Sequence, residues 1–396
     1  MSTSLYWSFL HFVSITIFSI LMSSALILVP QHDAIKNSEY WYEILIAGQF
    51  SFNLSSTLYK MVQCKTLFKL DCFMSIKTFL VFYGSWMLSI IILSFSSFAL
   101  FVYYVHYNPP MPFTGLIGYL SYFISLIFVW FSMSHEERIK PQRWKQYKVY
   151  VGYEFLESLI FTILYALFIM MLKKTPSNIQ WVVGLGLPII REGFSWLKTK
   201  LLLLAFEETN SNVVEIIRTN VGHGLRLSVS LGTFATKMTG YIILSIDFAM
   251  NIWNSIKIVK LRKNIDPGSI ADRKMLEAQK LALLELALIE IIEFIVPLSY
   301  VVSLVIALYG PNSSILGNYG NGYWTFRPIE NLNKHLFAAL EMFIIDCCSF
   351  VIGCIILWKF CSINFLMEAC QQIKSYWFLI AVTLAQSLNI VGTSNN

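Results

Sequence analysis

Long apolar runs alternate with shorter polar segments along this chain. Stretches of about 20 residues nearly free of charge have the length of a membrane-crossing helix. Runs of this kind occupy 5–30, 79–105, 113–133, 155–172, 228–254, 283–309, 336–358 and, more briefly, 376–391. Between them, 31–78 is polar to amphipathic, and its middle mixes Trp41, Phe50 and Phe52 with polar residues, as a helix lying in the interface would. Pro109, Pro110 and Pro112 forbid a helix through 106–112. Segment 134–154 reads as a charged loop. Segment 179–206 is interrupted by Gly184, Gly186 and Pro188, and reads as a full span, a re-entrant piece or an interfacial helix.

The expected fold is therefore all-α: a polytopic transmembrane helical bundle of about eight spans, nine if 179–206 crosses, with interfacial or re-entrant helices. Loop Lys and Arg orient it. Segments 31–78, 134–154 and 257–282 carry five, five and seven of them, whereas 1–4 and 106–112 carry none. Placing the three basic segments on the cytoplasmic side gives eight spans with both termini outside. Three regions follow: a four-span N-terminal region over 1–175, an intervening segment over 176–227, and a four-span C-terminal region over 228–396. No soluble domain is expected.

Composition sharpens the class. Of 396 residues, 56% are hydrophobic and only 13% charged, with mean hydropathy +0.62. Soluble domains run roughly 45–50% apolar and about 25% charged. The deficit in charge is decisive, because so few charges cannot cover a soluble surface of this size. The expected setting is an integral membrane protein in a lipid bilayer, of the plasma membrane rather than an internal one. The net charge of +6 fits basic cytoplasmic loops, and no tract suits nucleic acid. The seven cysteines are odd in number and lack zinc-finger spacing. The histidines are scattered, and HExxH, GxSxG and Walker A patterns do not occur. Neither an enzyme nor a cofactor or bound metal is expected.

Candidate chemistry lies in the C-terminal half. Pro267-Gly268 breaks the preceding helix, and no breaker follows until Pro297, so a helix from Ile270 to Tyr309 would be about 60 Å long. At about 100° per residue, Glu285, Glu290, Glu293, Pro297, Tyr300 and Ser303 share one side of it. Asp346 sits near the middle of 336–358. Asp247 lies in 228–254 with Lys237 as its one obvious basic neighbour at depth. Carboxylates inside an apolar span are costly and mark pairing, ion binding or proton relay. Asp247, Glu290, Glu293, Asp346 and Lys237 are thus the candidate cation or proton sites, and the leading expectation is an ion or proton channel or transporter. Structural pairing and a polar-ligand pocket fit the same pattern.

The alternative is a sensory receptor binding a ligand at the outer face through the turn-rich loop 309–335, where Tyr319, Tyr323, Trp324 and Arg327 are candidates. In that loop Asn312 opens a glycosylation sequon. A non-transporting scaffold is the third reading. Ser228, Gly232, Thr236 and Gly240 recur every four residues, a spacing that suits close helix packing. A homo-oligomer is compatible with all three readings.

Overall fold

The computed structural model describes residues 2–28, 41–104, 114–157, 162–233, 237–263, 270–309 and 329–393. Every element among these residues is helical, so the class is all-α. In chain order the helices are α1 (Ser2–Leu28), α2 (Trp41–Phe68), α3 (Ile76–Tyr104), α4 (Thr114–Ser132), α5 (His135–Ile139), α6 (Pro141–Phe155), α7 (Thr162–Lys174), α8 (Gln180–Gly184), α9 (Gly186–Leu203), α10 (Glu208–Thr233), α11 (Lys237–Lys263), α12 (Ile270–Tyr309), α13 (Ile329–Cys361) and α14 (Phe365–Thr393). A short 3-10 turn, Asp71–Met74, separates α2 from α3.

Local chemistry sets several of these ends. The Ser134 hydroxyl accepts from the Glu137 amide at 3.3 Å and caps α5. Pro141 opens α6, where no N–H is needed. Ser362 takes the left-handed conformation, φ 56°, just past the end of α13. The Asn364 side chain then accepts from the Met367 amide at 3.2 Å and starts α14.

Two helices occupy the centre. α10 packs on α2, α9, α12, α13 and α14, and α14 packs on α1, α2, α10 and α12. Leu379 to Ala385 are buried without exception, so that part of α14 is enclosed on every side. Around it lies the main core, with Tyr59, Phe68, Trp86, Tyr150, Ile217, Ile292 and Ile380 among its members. α13 shows the opposite arrangement. Ile344, Val351, Ile355 and Trp358 point outward, while Met342, Asp346, Ser349 and Leu357 are buried. The apolar stripe thus faces out and the acid faces in. Among the described residues, Met238–Arg262 and His335–Cys361 are long and apolar enough to cross a membrane. Only 39% and 28% of their apolar windows are buried within the protein. That exposure separates them from the core helices of soluble domains, which bury their apolar surface.

Several boundaries differ from those read off the sequence. The run 228–254 divides between α10 and α11, and the small residues Ser228 and Gly240 fall on different helices. The charged segment 134–154 folds into α5 and α6. The short apolar run 376–391 is the end of a 29-residue helix. The segment expected to lie in the interface is instead the packed helix α2, with Ser55, Ser56, Thr57, Lys60 and Gln63 buried. Its polar face meets buried hydrogen-bonding partners, which is why polar residues there do not signify exposure. Lys60 is accordingly a core cation and not one of the loop charges that orient the chain.

Candidate functional site

Two buried polar clusters lie inside the bundle. The first joins α2, α4, α6, α9 and α10. Gln63 donates to Glu154 Oε1 at 2.7 Å, Tyr150 donates to Gln63 at 3.0 Å, and Tyr122 donates its hydroxyl to Glu154 Oε2. Lys60 donates to Ser125 and to the Tyr122 carbonyl, with its ammonium over the Tyr122 and Trp86 rings. Arg218 lies 3.6 Å from both Glu154 and Glu157. Lys198 pairs with Glu157 and, at 3.0 Å, with Glu215, and it donates to Thr219 at 2.7 Å. Each of the three carboxylates thus has a cation beside it: Arg218 for Glu154, Arg218 and Lys198 for Glu157, and Lys198 for Glu215.

The second cluster is built by α11, α12 and α13. Each supplies two polar residues one helical turn apart: Asp247 and Asn251, Glu290 and Glu293, Asp346 and Ser349. Oxygens of Asp247, Glu293 and Asp346 lie within 4.8 Å of one another, and all three residues are buried. Asn251 donates to Glu293 Oε2 and, at 3.3 Å, to Ser349. Ser349 donates to Glu290 at 3.0 Å, which ties the fourth carboxylate into the same layer. Among the described residues, Glu293 Oε1 and Asp346 Oδ2 have no hydrogen-bond partner.

Arg191 is the cation of this layer. Its Nη1 donates to Asp247 Oδ1 at 3.2 Å, while Nε reaches Glu192. Arg191 is carried there by the broken pair α8–α9. Gly184, at the end of α8, permits the close approach to α11, since a Cβ there would lie 2.6 Å from Ile243 Cδ1. Among the described residues, four carboxyl groups stand against one guanidinium, so acid is in excess and the layer must hold protons or a bound cation. The six donor side chains around it offer oxygen, so a proton or a hard cation fits the layer chemically, whereas a thiol- or imidazole-seeking metal does not.

Lys237 opens α11 ten residues before Asp247, about 15 Å along the helix, and the cation paired with Asp247 is Arg191. Glu285 stands apart, accepting from Asn212 at 3.0 Å. Tyr319, Tyr323, Trp324, Arg327 and Asn312 lie outside the described residues.

Reading the sequence alone overlooks Glu154, Glu157, Lys198, Glu215, Arg218 and Arg191. A signal for some of them exists: Tyr150, Tyr153, Glu154 and Glu157 are spaced as one helical face, and all four are buried. Beyond this core, hydrogen bonds from Lys140 and Arg143 hold the Glu137 carboxyl below the usual glutamate range. Compared with known proteins, the chain matches no family model, no curated protein and no solved structure.

Proposed function

We propose that this chain is a multi-pass membrane protein, embedded through about eight helices, whose C-terminal half carries a path for cations or protons through the acid layer of Asp247, Glu290, Glu293 and Asp346. The observation that carries the reading is the charge imbalance of that layer. A bundle that needed buried ions only for cohesion has a working pattern in its own N-terminal half, where each acid is offset by a cation. The C-terminal layer departs from that pattern, and two of its three helices, α11 and α13, are long and apolar enough to cross a membrane. Uncompensated carboxylates at such a depth mark ion and proton routes in membrane proteins.

Embedding in lipid rests on the inverted distribution of side chains. Ile76, Leu80, Leu88 and Ile92 on α3, and Ile344, Ile355 and Trp358 on α13, face outward. Water would penalise that surface, whereas hydrocarbon accepts it.

The test is flux. Wild-type protein in proteoliposomes should pass cations or dissipate a pH gradient, and Glu293→Gln and Asp346→Asn should suppress this while still yielding folded protein. Equal flux in wild type and both variants, or none from wild type under any ion gradient, would sink the proposal.

A further inference from the structure

We infer that the acid layer is a binding site for one hard divalent cation of calcium size, held between Asp247, Glu293 and Asp346. The inference rests on the pathway reading for its role but on geometry for its existence.

Consider first the spacing. Calcium takes oxygen ligands at about 2.3–2.6 Å, so ligands on opposite sides of the ion lie at most about 5 Å apart. Magnesium, at about 2.0–2.1 Å, would require them within about 4.2 Å. The three carboxylate oxygens lie within 4.8 Å of one another, inside the span that calcium bridges; a buried, all-protein ligand set also suits calcium better than magnesium, which usually keeps several waters.

The unsatisfied atoms make a second and separate argument. Glu293 Oε1 and Asp346 Oδ2 are buried without a partner among the described residues, on side chains only 3% and 4% exposed. A buried acceptor lacking a donor is costly. Two of them converging from different helices point to a ligand that accepts oxygen lone pairs.

Neighbouring groups complete the site. Pro297 has no N–H to give the carbonyl of Glu293, four residues earlier, so that oxygen lacks its usual helical donor at the depth of the layer. Asn251, Ser349 and Glu290 orient the acids through the hydrogen bonds described above. Arg191 engages only one oxygen of Asp247 and leaves its second oxygen available. With four acids and one guanidinium, a divalent ion brings the layer close to neutrality. It is a better match than a monovalent ion, which would leave twice the residual charge.

Equilibrium binding of radioactive calcium to the purified full-length chain in detergent tests this directly, with magnesium as competitor and monodispersity checked for each variant. The expected result is one calcium per chain that magnesium displaces poorly. Asp346→Asn and Glu293→Gln should lose it, and Ser349→Ala should weaken it by about 10–100-fold as a ligand-orienting residue. Glu341→Gln, on the exposed side of α13, should bind as wild type does. If Asp346→Asn does not fold, Ser349→Ala carries the comparison. Absence of calcium binding by folded wild type overturns the inference, as does binding that survives both carboxylate substitutions. Because no gradient is involved, the two proposals fail separately. Calcium binding without flux supports the site and removes the pathway. Proton flux without calcium binding overturns the site and keeps the pathway.

Discussion

At the scale of single residues, the cost of burying a charge depends on its partners, and this chain offers both outcomes. Lys198 is 1% exposed and bonds two glutamates and a threonine. Removing its charge takes away the cation shared by Glu157 and Glu215 and leaves Arg218, 3.6 Å from Glu157, as the remaining partner. Lys198→Met should therefore cost about 3–5 kcal/mol, read as a lower unfolding midpoint of the detergent-solubilised protein. Adding Glu157→Leu to that variant should recover part of the loss. Glu137 behaves differently, because it lies outside the bundle core and its carboxyl is held low by Lys140 and Arg143. A depressed carboxyl stabilises the fold above its unfolded value, near 4.5, and that contribution is lost as pH falls through the native value. The difference in melting temperature between wild type and Glu137→Gln should accordingly be full at neutral pH and close as the medium is acidified below the glutamate range. A difference that stays constant would show that the Lys140 and Arg143 bonds do not act on stability.

Elements show how the residues reach one another. α12 runs from Ile270 to Tyr309 as one helix, through Pro297, and carries both Glu290 and Glu293. Its extent was legible in the sequence because Pro267-Gly268 ends what precedes it and its polar residues keep one side. Asp247 and Asp346 were equally legible, since a lone acid stands out in an apolar window. The cation that meets them was not. Arg191 follows Gly184, Gly186 and Pro188, where hydrophobic periodicity breaks and no local pattern says which helix the segment will touch. Glu154 and Glu157 were hidden for another reason: Glu154 ends the charged segment 134–154, which reads as loop, and Glu157 falls at the very start of the apolar run 155–172, where an acid reads as the end of a span. The α8–α11 approach that carries Arg191 can be tested. Gly184→Val should cost about 1–3 kcal/mol by overpacking against Ile243. Ile243→Ala in the same chain should relieve much of that cost, so the two changes should fall short of additive in a thermal-unfolding cycle. Strict additivity would mean that the two helices do not pack as described.

Across the whole molecule, α10 is the shared wall. It supplies Glu215, Arg218 and Thr219 to the ion-paired cluster and packs on α12 and α13, two of the helices that form the acid layer. The buried His223 lies one turn beyond Thr219, on the same side of α10. The N-terminal cluster, fully offset, ties five helices together. The C-terminal layer, with acid in excess, sits where two strongly apolar helices line the exterior. This division of labour is the central claim, and a paired flux measurement tests it most directly. Asp346→Asn and the double variant Lys198→Met with Glu157→Leu would be reconstituted at equal amounts of folded protein, and cation and proton flux recorded beside wild type. The account predicts that Asp346→Asn abolishes flux at near-normal stability, while the double variant conducts as wild type despite an altered unfolding midpoint. Flux retained in Asp346→Asn and lost in the double variant would contradict it.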